Sequence, residues 1–373
     1  MSKKIAVIGP VYPYKSGISH YTGLLVRALK ERYTVYTISY KMQYPRIMFR
    51  SPQKDYENDG FKVDDAEFLI NTANPFNISR CAKYINSLGV DLVLIEWWHP
   101  YFSPCYRILT KRLKAKILFL CHNVFPHERF PMDRALTRAV LKKGDYFILH
   151  SKKEAADLLG IVPDAKYAIN MHPTYSAYKM GNAKRQTGET SGLNMLFFGF
   201  VRPYKGLDVL LRAMRTLPDD VRLSVVGDFG GSRPEYDRLM EEGNLSDRVS
   251  IREGFVPDSE VEQYFADCDV VVLPYIEATQ SGIAQIALGL EKPVIVSDAG
   301  GLPEVVTDGV TGVLCKAGDV DSLSQAVRRF MALRADTDFV KNIREDSERF
   351  SWPHMVDTIT GLCDELKEVA DGR

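Results

Sequence analysis

Residues 269–297 read DVVVLPYIEATQSGIAQIALGLEKPVIVS. Two short apolar runs, 269–273 and 293–297, flank a segment near 281–290 that has helical character. Apolar runs of this length, bounded by turn residues, suit strands buried on both faces. Two such strands joined through a helix define a parallel pair, because a parallel crossover needs a long connection and a helix supplies it. The loop between strand and helix, Pro274 to Gln280, is polar and ends on Ser281-Gly282.

The same alternation extends outward in both directions. Upstream lie a strand at 194–198, a helix at 207–217, a strand at 222–226 and a helix at 260–266, for which Ser259 and Glu262 form a capping box. The first half repeats the scheme, with strands expected at 4–8, 34–39, 91–95, 116–121 and 146–150. Ile18, Tyr21, Leu24, Leu25, Ala28 and Leu29 make a helical stripe after the first strand, and Ser151 with Glu154 caps another helix. Between about 173 and 192 the pattern lapses into small, polar and basic residues (Gly181-Asn182-Ala183-Lys184, then Gln186-Thr187-Gly188). The reading is an α/β chain of two Rossmann-like doubly wound domains, 1–180 and 190–373. The last helix, about 353–370, is a candidate to pack back on the first domain.

A chain of 373 residues is long enough for two domains, and 45% hydrophobic with 26% charged residues is globular composition. No apolar run approaches the ~20 residues of a membrane span. The opening Ile5-Ala6-Val7-Ile8-Gly9 is too short for a signal-peptide core, so a cytoplasmic chain is expected. The six cysteines are scattered without metal-ligand spacing. Net charge is zero but unevenly placed. Residues 1–175 hold 26 Lys+Arg and 15 Asp+Glu, a balance of +11, which leaves 22 and 33, or −11, for the rest. An anionic partner for the first half follows. Nucleic acid is disfavoured, since no recognition motif accompanies the charge.

Ligands of open parallel sheets bind beyond the carboxyl ends of the strands. After the first strand, Gly9 to Ile18 lacks GxGxxG, which disfavours a dinucleotide cofactor. Ser16-Gly17 still opens a helix whose free amides suit an anion. After the strand at 194–198 comes Gly199-Phe200-Val201-Arg202-Pro203-Tyr204-Lys205-Gly206, in which Arg202 and Lys205 are placed to clamp a diphosphate. After 269–273, Ser281, Gly282 and Ile283 open an apolar helix, again with amides and a positive dipole end available to phosphate. Downstream stands Pro293-Val294-Ile295-Val296-Ser297-Asp298-Ala299-Gly300-Gly301-Leu302-Pro303-Glu304-Val305-Val306.

In this order, Arg-x-x-Lys-Gly, a glutamate before a helix-opening glycine, and the PVI-x-S-D-x-GG-x-P-E-V-V run, the chain resembles the retaining GT-B glycosyltransferases of family 4. The resemblance covers nearly the whole length. It implies two domains facing a central cleft, an acceptor-binding first domain and a second domain that holds a UDP- or GDP-sugar, with no metal and no further cofactor. It gives Arg202 and Lys205 the diphosphate, with the amides of Ser281, Gly282 and Ile283, and has Gly17, beside Ser16, close on the same phosphates. Glu277 matches the acid that bonds donor-sugar hydroxyls, and Gln280 lies in the same loop. Val256, in Gly254-Phe255-Val256-Pro257, falls where relatives hold the base, and His122 where they keep a histidine beside the reacting sugar. One departure stands out: the family usually has a second glutamate eight residues after the first, gripping the ribose, and here that position is Gln285. The departure keeps open a catalytically degenerate homologue that binds sugar nucleotide or serves as a scaffold. A two-lobed binding protein is a rival from another class, with no reason to pair Arg202 with Lys205. The acceptor expected is a glycan or a lipid-linked sugar.

His99, in Trp97-Trp98-His99-Pro100, also follows a strand and is a candidate for the acceptor pocket. Arg107, Lys111, Arg112, Lys114 and Lys116, then Arg134, Arg138, Lys142 and Lys143, interleave with Ile108, Leu109, Leu113, Leu136, Val140 and Leu141. Basic amphipathic helices of this kind suit an anionic membrane surface, which would make the chain peripheral on the inner face of a membrane. Asp267-Cys268-Asp269 and Asp319-Val320-Asp321 spell DxD strings, but the first joins a helix to a strand and the second caps a helix. Asp228-Phe229-Gly230 lacks every companion of the kinase signature.

Overall fold

In the computed structural model, residues 2–367 are described except 46, 48–52, 57–58, 127–128, 182 and 187–191. Of the stretch read as a linker, residues 182 and 187–191 therefore lie outside the described residues. The chain divides into two compact units, Met1–Asn170 with Trp352–Arg373, and Met171–Ser351.

The first unit runs β1 (Lys4–Ile8), α1 (Gly17–Lys30), β2 (Thr34–Met42), β3 (Glu67–Asn71), α2 (Pro75–Ser87), β4 (Leu92–Trp97), α3 (Ser103–Thr110), β5 (Lys116–Cys121), α4 (Asp133–Leu141), β6 (Tyr146–Leu149), α5 (Lys152–Leu159) and β7 (Tyr167–Ile169). The second runs β8 (Leu193–Phe198), α6 (Leu207–Met214), β9 (Val221–Gly227), α7 (Arg233–Glu242), β10 (Val249–Glu253), α8 (Asp258–Asp267), β11 (Val270–Leu273), α9 (Gly282–Gly289), β12 (Val294–Ser297), β13 (Gly312–Cys315), α10 (Val320–Leu333) and α11 (Phe339–Glu345). A closing helix, α12 (Trp352–Leu362), belongs to the first unit.

Both sheets are parallel throughout, in the orders β3-β2-β1-β4-β5-β6-β7 and β10-β9-β8-β11-β12-β13. Each is covered by helices on two faces, so the central strands are buried nearly end to end, as in β4 and β5. The order reverses between β1 and β4 in one sheet and between β8 and β11 in the other. Loops after those strands diverge to opposite faces, and the crevice they leave is where such sheets take ligands.

The closing helix buries Met355, Val356 and Ile359 against Ile5, Val7, Leu25, Leu92, Leu118 and Ile148. Thr360 and Tyr33 share a hydroxyl–hydroxyl bond of 2.6 Å, and Tyr146 donates to Glu365. The first unit ends at Asn170 rather than at 180. The next residues are tied to the second unit: the Thr174 amide donates to the Phe350 carbonyl, the Tyr175 amide to that of Gln285, and the Tyr178 hydroxyl to Asp258.

Local signals fared unevenly. Ser151 caps α5 by accepting from the Glu154 amide, while the Glu154 carboxylate takes the amide of His150 rather than that of Ser151. Asp319 caps α10. The capping box expected at Ser259 is absent: α8 starts at Asp258, because Pro257, with φ −57°, ends the loop one residue earlier and leaves Ser259 inside the first turn. The apolar residues of the basic helices also face inward. Leu109, Val140 and Leu141 are buried, and Ile108 and Leu113 pack on the same core, so that stripe belongs to the sheet and not to a bilayer.

Candidate active site

In the second unit, the two loops flanking the sheet reversal are joined through the backbone. The amides of Ile276 and Glu277 both donate to the Tyr204 carbonyl, at 2.7 and 3.4 Å. Gly206, at φ +67°, makes this approach possible, since a Cβ there would lie 2.1 Å from the Pro274 carbonyl oxygen. The loop after β12 joins from the other side. The Gly301 amide donates to Thr279, and at Gly300 (φ +55°) a Cβ would stand 1.6 Å from the Ala278 carbonyl oxygen. These glycines fix the loop that carries Glu277 between its neighbours.

Lys205 is the unusual group of this region. Only 8% of it is exposed, and its ammonium makes no hydrogen bond or ion pair with any described residue. Its nearest compensation is the Tyr275 ring, 5.5 Å from Nζ. Burial pulls its pKa below the ordinary lysine value; Tyr204 opposes the shift and Arg202 adds to it. A buried cation without a partner is costly, so a site of this kind favours an arriving anion. Arg202 is half-buried; its guanidinium donates to the Val201 carbonyl and lies over Phe200.

One strand away, Ser281 caps α9, accepting from the Ala284 amide at 3.3 Å and contacting the Tyr275 hydroxyl at 3.3 Å. The amides of Gly282 and Ile283 point out of the first turn with no intrahelical acceptor. Tyr275 thus touches both the lysine and the helix cap. Glu277 is exposed and Gln280 half-buried. Gln285 is only 1% exposed, and its Oε1 has no hydrogen-bond partner among the described residues. Two strands from β8, roughly 10 Å away, the loop after β10 carries Val256. The Val256 side chain is buried, and its neighbour Phe255 is exposed. Of the DxD string, Asp267 accepts from the Gln186 amide and Gln263, and Asp269 from the Asn194 amide and Arg185. Its carboxylates are thus committed to the fold.

In the first unit, Ser16 caps α1 by accepting from the Ser19 amide, and Gly17 is exposed. A Cβ at Gly17 would meet nothing within 4 Å, so internal packing does not demand glycine there. His122 follows β5 with its amide on the Trp97 carbonyl. Its ring is buried, with Nε2 3.1 Å from the Glu96 carboxyl, Tyr21 edge-on at 4.7 Å and His150 at 5.7 Å. Burial drives His122 down to about 3 and Glu96 well above the carboxylate range, with the Thr22 hydroxyl opposing the latter, so the pair is held neutral.

The sequence profile of the glycosyl transferases group 1 matches residues 192–332. The match lies wholly within the second unit. A D-inositol 3-phosphate glycosyltransferase of Mycolicibacterium smegmatis is 28% identical over 61% of this chain and 55% of its own length. A GDP-mannose:glycolipid 4-beta-D-mannosyltransferase of Xanthomonas campestris is 34% identical over 52% of this chain and 54% of its own. The chain thus spans just over half the length of these curated relatives. Sucrose-phosphate synthase from Thermosynechococcus elongatus has the same fold, with a TM-score of 0.73 at 18% identity and full coverage of both chains.

Within the matched region, the structure brings Arg202, Lys205, Glu277, Gln280 and Ser281 to Ile283 onto adjoining loops of one sheet. Gln285 lies one turn into α9, and Val256 stands apart on the β10 loop. Sequence reasoning gave no role to Tyr275 or Glu96. A signal for Glu96 was present: one acid inside the otherwise apolar run 92–97 demands a buried partner, and His122, directly after the neighbouring strand, supplies it.

Proposed function

We propose that this chain transfers a sugar, with retention of anomeric configuration, from a UDP- or GDP-sugar to a glycan or lipid-linked acceptor, without a metal ion. The observation that carries the reading is Lys205, a buried side chain whose ammonium bonds to no described residue, one strand from the open N-terminus of α9 at the sheet reversal. A diphosphate there gains a point charge, the Arg202 guanidinium and two amides without reorganising the protein. Glu277, exposed on the joined loop, suits hydroxyls of the donor sugar. In this mechanism the departing diphosphate takes the acceptor's proton on the face it leaves, and Lys205 and Arg202 stabilise the charge that develops on it. The reading of Val256 as base-side, of Gln285 as ribose-side, and of Ser16, Gly17 and His122 as contributors rests on the family resemblance. A panel of UDP- and GDP-sugars tests the proposal by thermal shift in EDTA. The matching donor is expected to raise the melting temperature, by about 2.7 kcal/mol of stabilisation at 100 times its dissociation constant. A rise that vanishes in EDTA and returns with magnesium or manganese would overturn metal independence, and no rise with any donor would overturn the donor site.

The first unit is further proposed to dock on an anionic membrane. Helices α2, α3 and α4 lie side by side, and neither α2 nor α3 contains an acid. Asp133, the one acid of α4, is buried and paired with Arg129. Arg80, Lys83, Arg107, Lys111, Arg112 and Lys142 are exposed on or beside these helices, with Phe76 and Met132 protruding. Each surface-proximal cation contributes about 1 kcal/mol of attraction to anionic lipid. Co-sedimentation with vesicles should rise with phosphatidylserine content, fall with salt, and weaken when Lys111, Arg112 and Lys114 become glutamine. Indifference to lipid charge would end this part of the proposal.

A further inference from the structure

Beyond the carboxyl ends of β2, β4 and β5, the first unit carries aromatic rings that the core does not close over. Tyr44, Trp98, His99 and Tyr101 are half-buried, and Phe130 is 36% exposed. The polar edges of Trp98, Tyr44 and Tyr101 are already engaged. The Trp98 indole N–H donates to the Tyr44 hydroxyl at 3.2 Å, and the Tyr101 hydroxyl meets Thr72 at 2.9 Å. What remains for a ligand is ring face. Tyr44 and Tyr101 stand 4.9 Å apart, and His99 stacks on Phe130 at 5.8 Å with an interplanar angle of 23°.

One polar atom is left over, and its identity is fixed. His99 Nδ1 accepts from the Tyr101 amide at 3.0 Å, so in the neutral ring the proton sits on Nε2. Partial burial lowers the His99 pKa and keeps the ring neutral. No described residue takes the Nε2 proton. The group therefore offers an oriented N–H donor beside apolar faces.

We infer that His99, Phe130, Trp98 and Tyr101 form a subsite for a pyranose ring of the acceptor, with the C–H face of the sugar against the aromatic rings and a ring hydroxyl accepting from His99 Nε2. Flat apolar faces with a single set donor match a sugar, which has an apolar face and a polar rim. An alkyl chain has no use for the donor. This inference rests on the transferase reading, but it concerns the first unit and is separable from the donor site.

Saturation-transfer NMR on the whole chain provides the test, with methyl glycosides of glucose, galactose, mannose and N-acetylglucosamine and with octyl glucoside as probes. Irradiating the aromatic protons is expected to transfer saturation to the ring protons of at least one methyl glycoside. The signal should drop to background in His99→Ala and Phe130→Ala and persist in part in His99→Gln, which retains an N–H. Phe130 is exposed, so its variant should melt like the wild type. The nucleotide-sugar thermal shift should be unchanged in all three, which separates failure here from failure of the donor reading. Saturation confined to the octyl chain, no transfer to any methyl glycoside, or a ring-proton signal unaltered in both alanine variants would each overturn the subsite.

Discussion

Replacing Lys205 by methionine is expected to raise the melting temperature of the free protein while lowering sugar transfer by about 100-fold or more. The two effects share one cause. The side chain is buried, its ammonium has no anionic or hydrogen-bonding partner among the described residues, and it lies 5.5 Å from the centre of the Tyr275 ring. A methionine of similar length keeps the packing and removes the desolvation cost. It also removes a charge preorganised for the leaving diphosphate, and losing one such group costs on the order of 100-fold in rate. The pH dependence has a definite sign. Because burial depresses the folded-state pKa below 10.5, the unfolded chain binds more protons between the two values. The penalty is complete below the folded pKa and is relieved as pH rises toward the unfolded one. The melting advantage of Lys205→Met should therefore be largest near neutrality and shrink toward pH 10. Bound donor should reverse the order, since it neutralises the ammonium in the wild type only. A variant that melts lower than wild type without ligand, or keeps near wild-type turnover, would remove Lys205 from the diphosphate site.

Most of the fold was legible because central strands of a doubly wound sheet are continuous apolar runs, and β1, β5, β8 and β12 all fall within a residue or two of where those runs stand. The strands that went unread lie at or near edges. β3 reads EFLIN with one fully buried residue, and β10 reads VSIRE with polar positions facing solvent. β3 lacks both the alternation and the longer apolar run that mark a strand, and the alternation of β10 covers only Val249 to Arg252. Strand order was not legible at all, since both sheet reversals arise from long-range pairing, β1 with β4 and β8 with β11.

At the candidate site, residue types and spacing marked the cations and the helix opening, but not their environments. Nothing in Arg-x-x-Lys-Gly distinguishes a solvated lysine from one that is 8% exposed. That difference comes from Tyr275, seventy residues away, and from Gly206 bringing its loop onto the Pro274 carbonyl. The double glycine at 300–301 was noted as a motif. Its reason, a backbone contact with Ala278, exists only in three dimensions. The basic helices show the reverse case: charges were read correctly as exposed, while their apolar neighbours are consumed by the core.

Glu277→Gln should leave the melting temperature unchanged and lower transfer by about 100-fold, whereas Gln285→Glu should lower stability in a pH-dependent way. The contrast follows from burial. Glu277 is exposed, so the amide costs the fold little, and the loss falls on interactions made with the reacting sugar. Gln285 is 1% exposed, in the first turns of an apolar helix, with Oε1 unbonded. An amide tolerates that position far better than a carboxylate. A glutamate placed there has its pKa raised by desolvation, and every unit of elevation costs about 1.4 kcal/mol once the pH exceeds both values. The cost is absent below the unfolded-state pKa near 4.3, grows as pH climbs to the folded value, and then levels off. Gln285→Glu should thus melt like the wild type at pH 4 and several degrees lower at pH 8. Donor binding should recover part of the difference if the new carboxylate meets ribose hydroxyls. Melting curves at the two pH values, with and without the matching nucleotide sugar, measure both. If the variant melts like the wild type at pH 8 without ligand, water reaches residue 285 and its side chain already faces the donor; if donor restores nothing, this position does not touch the ribose.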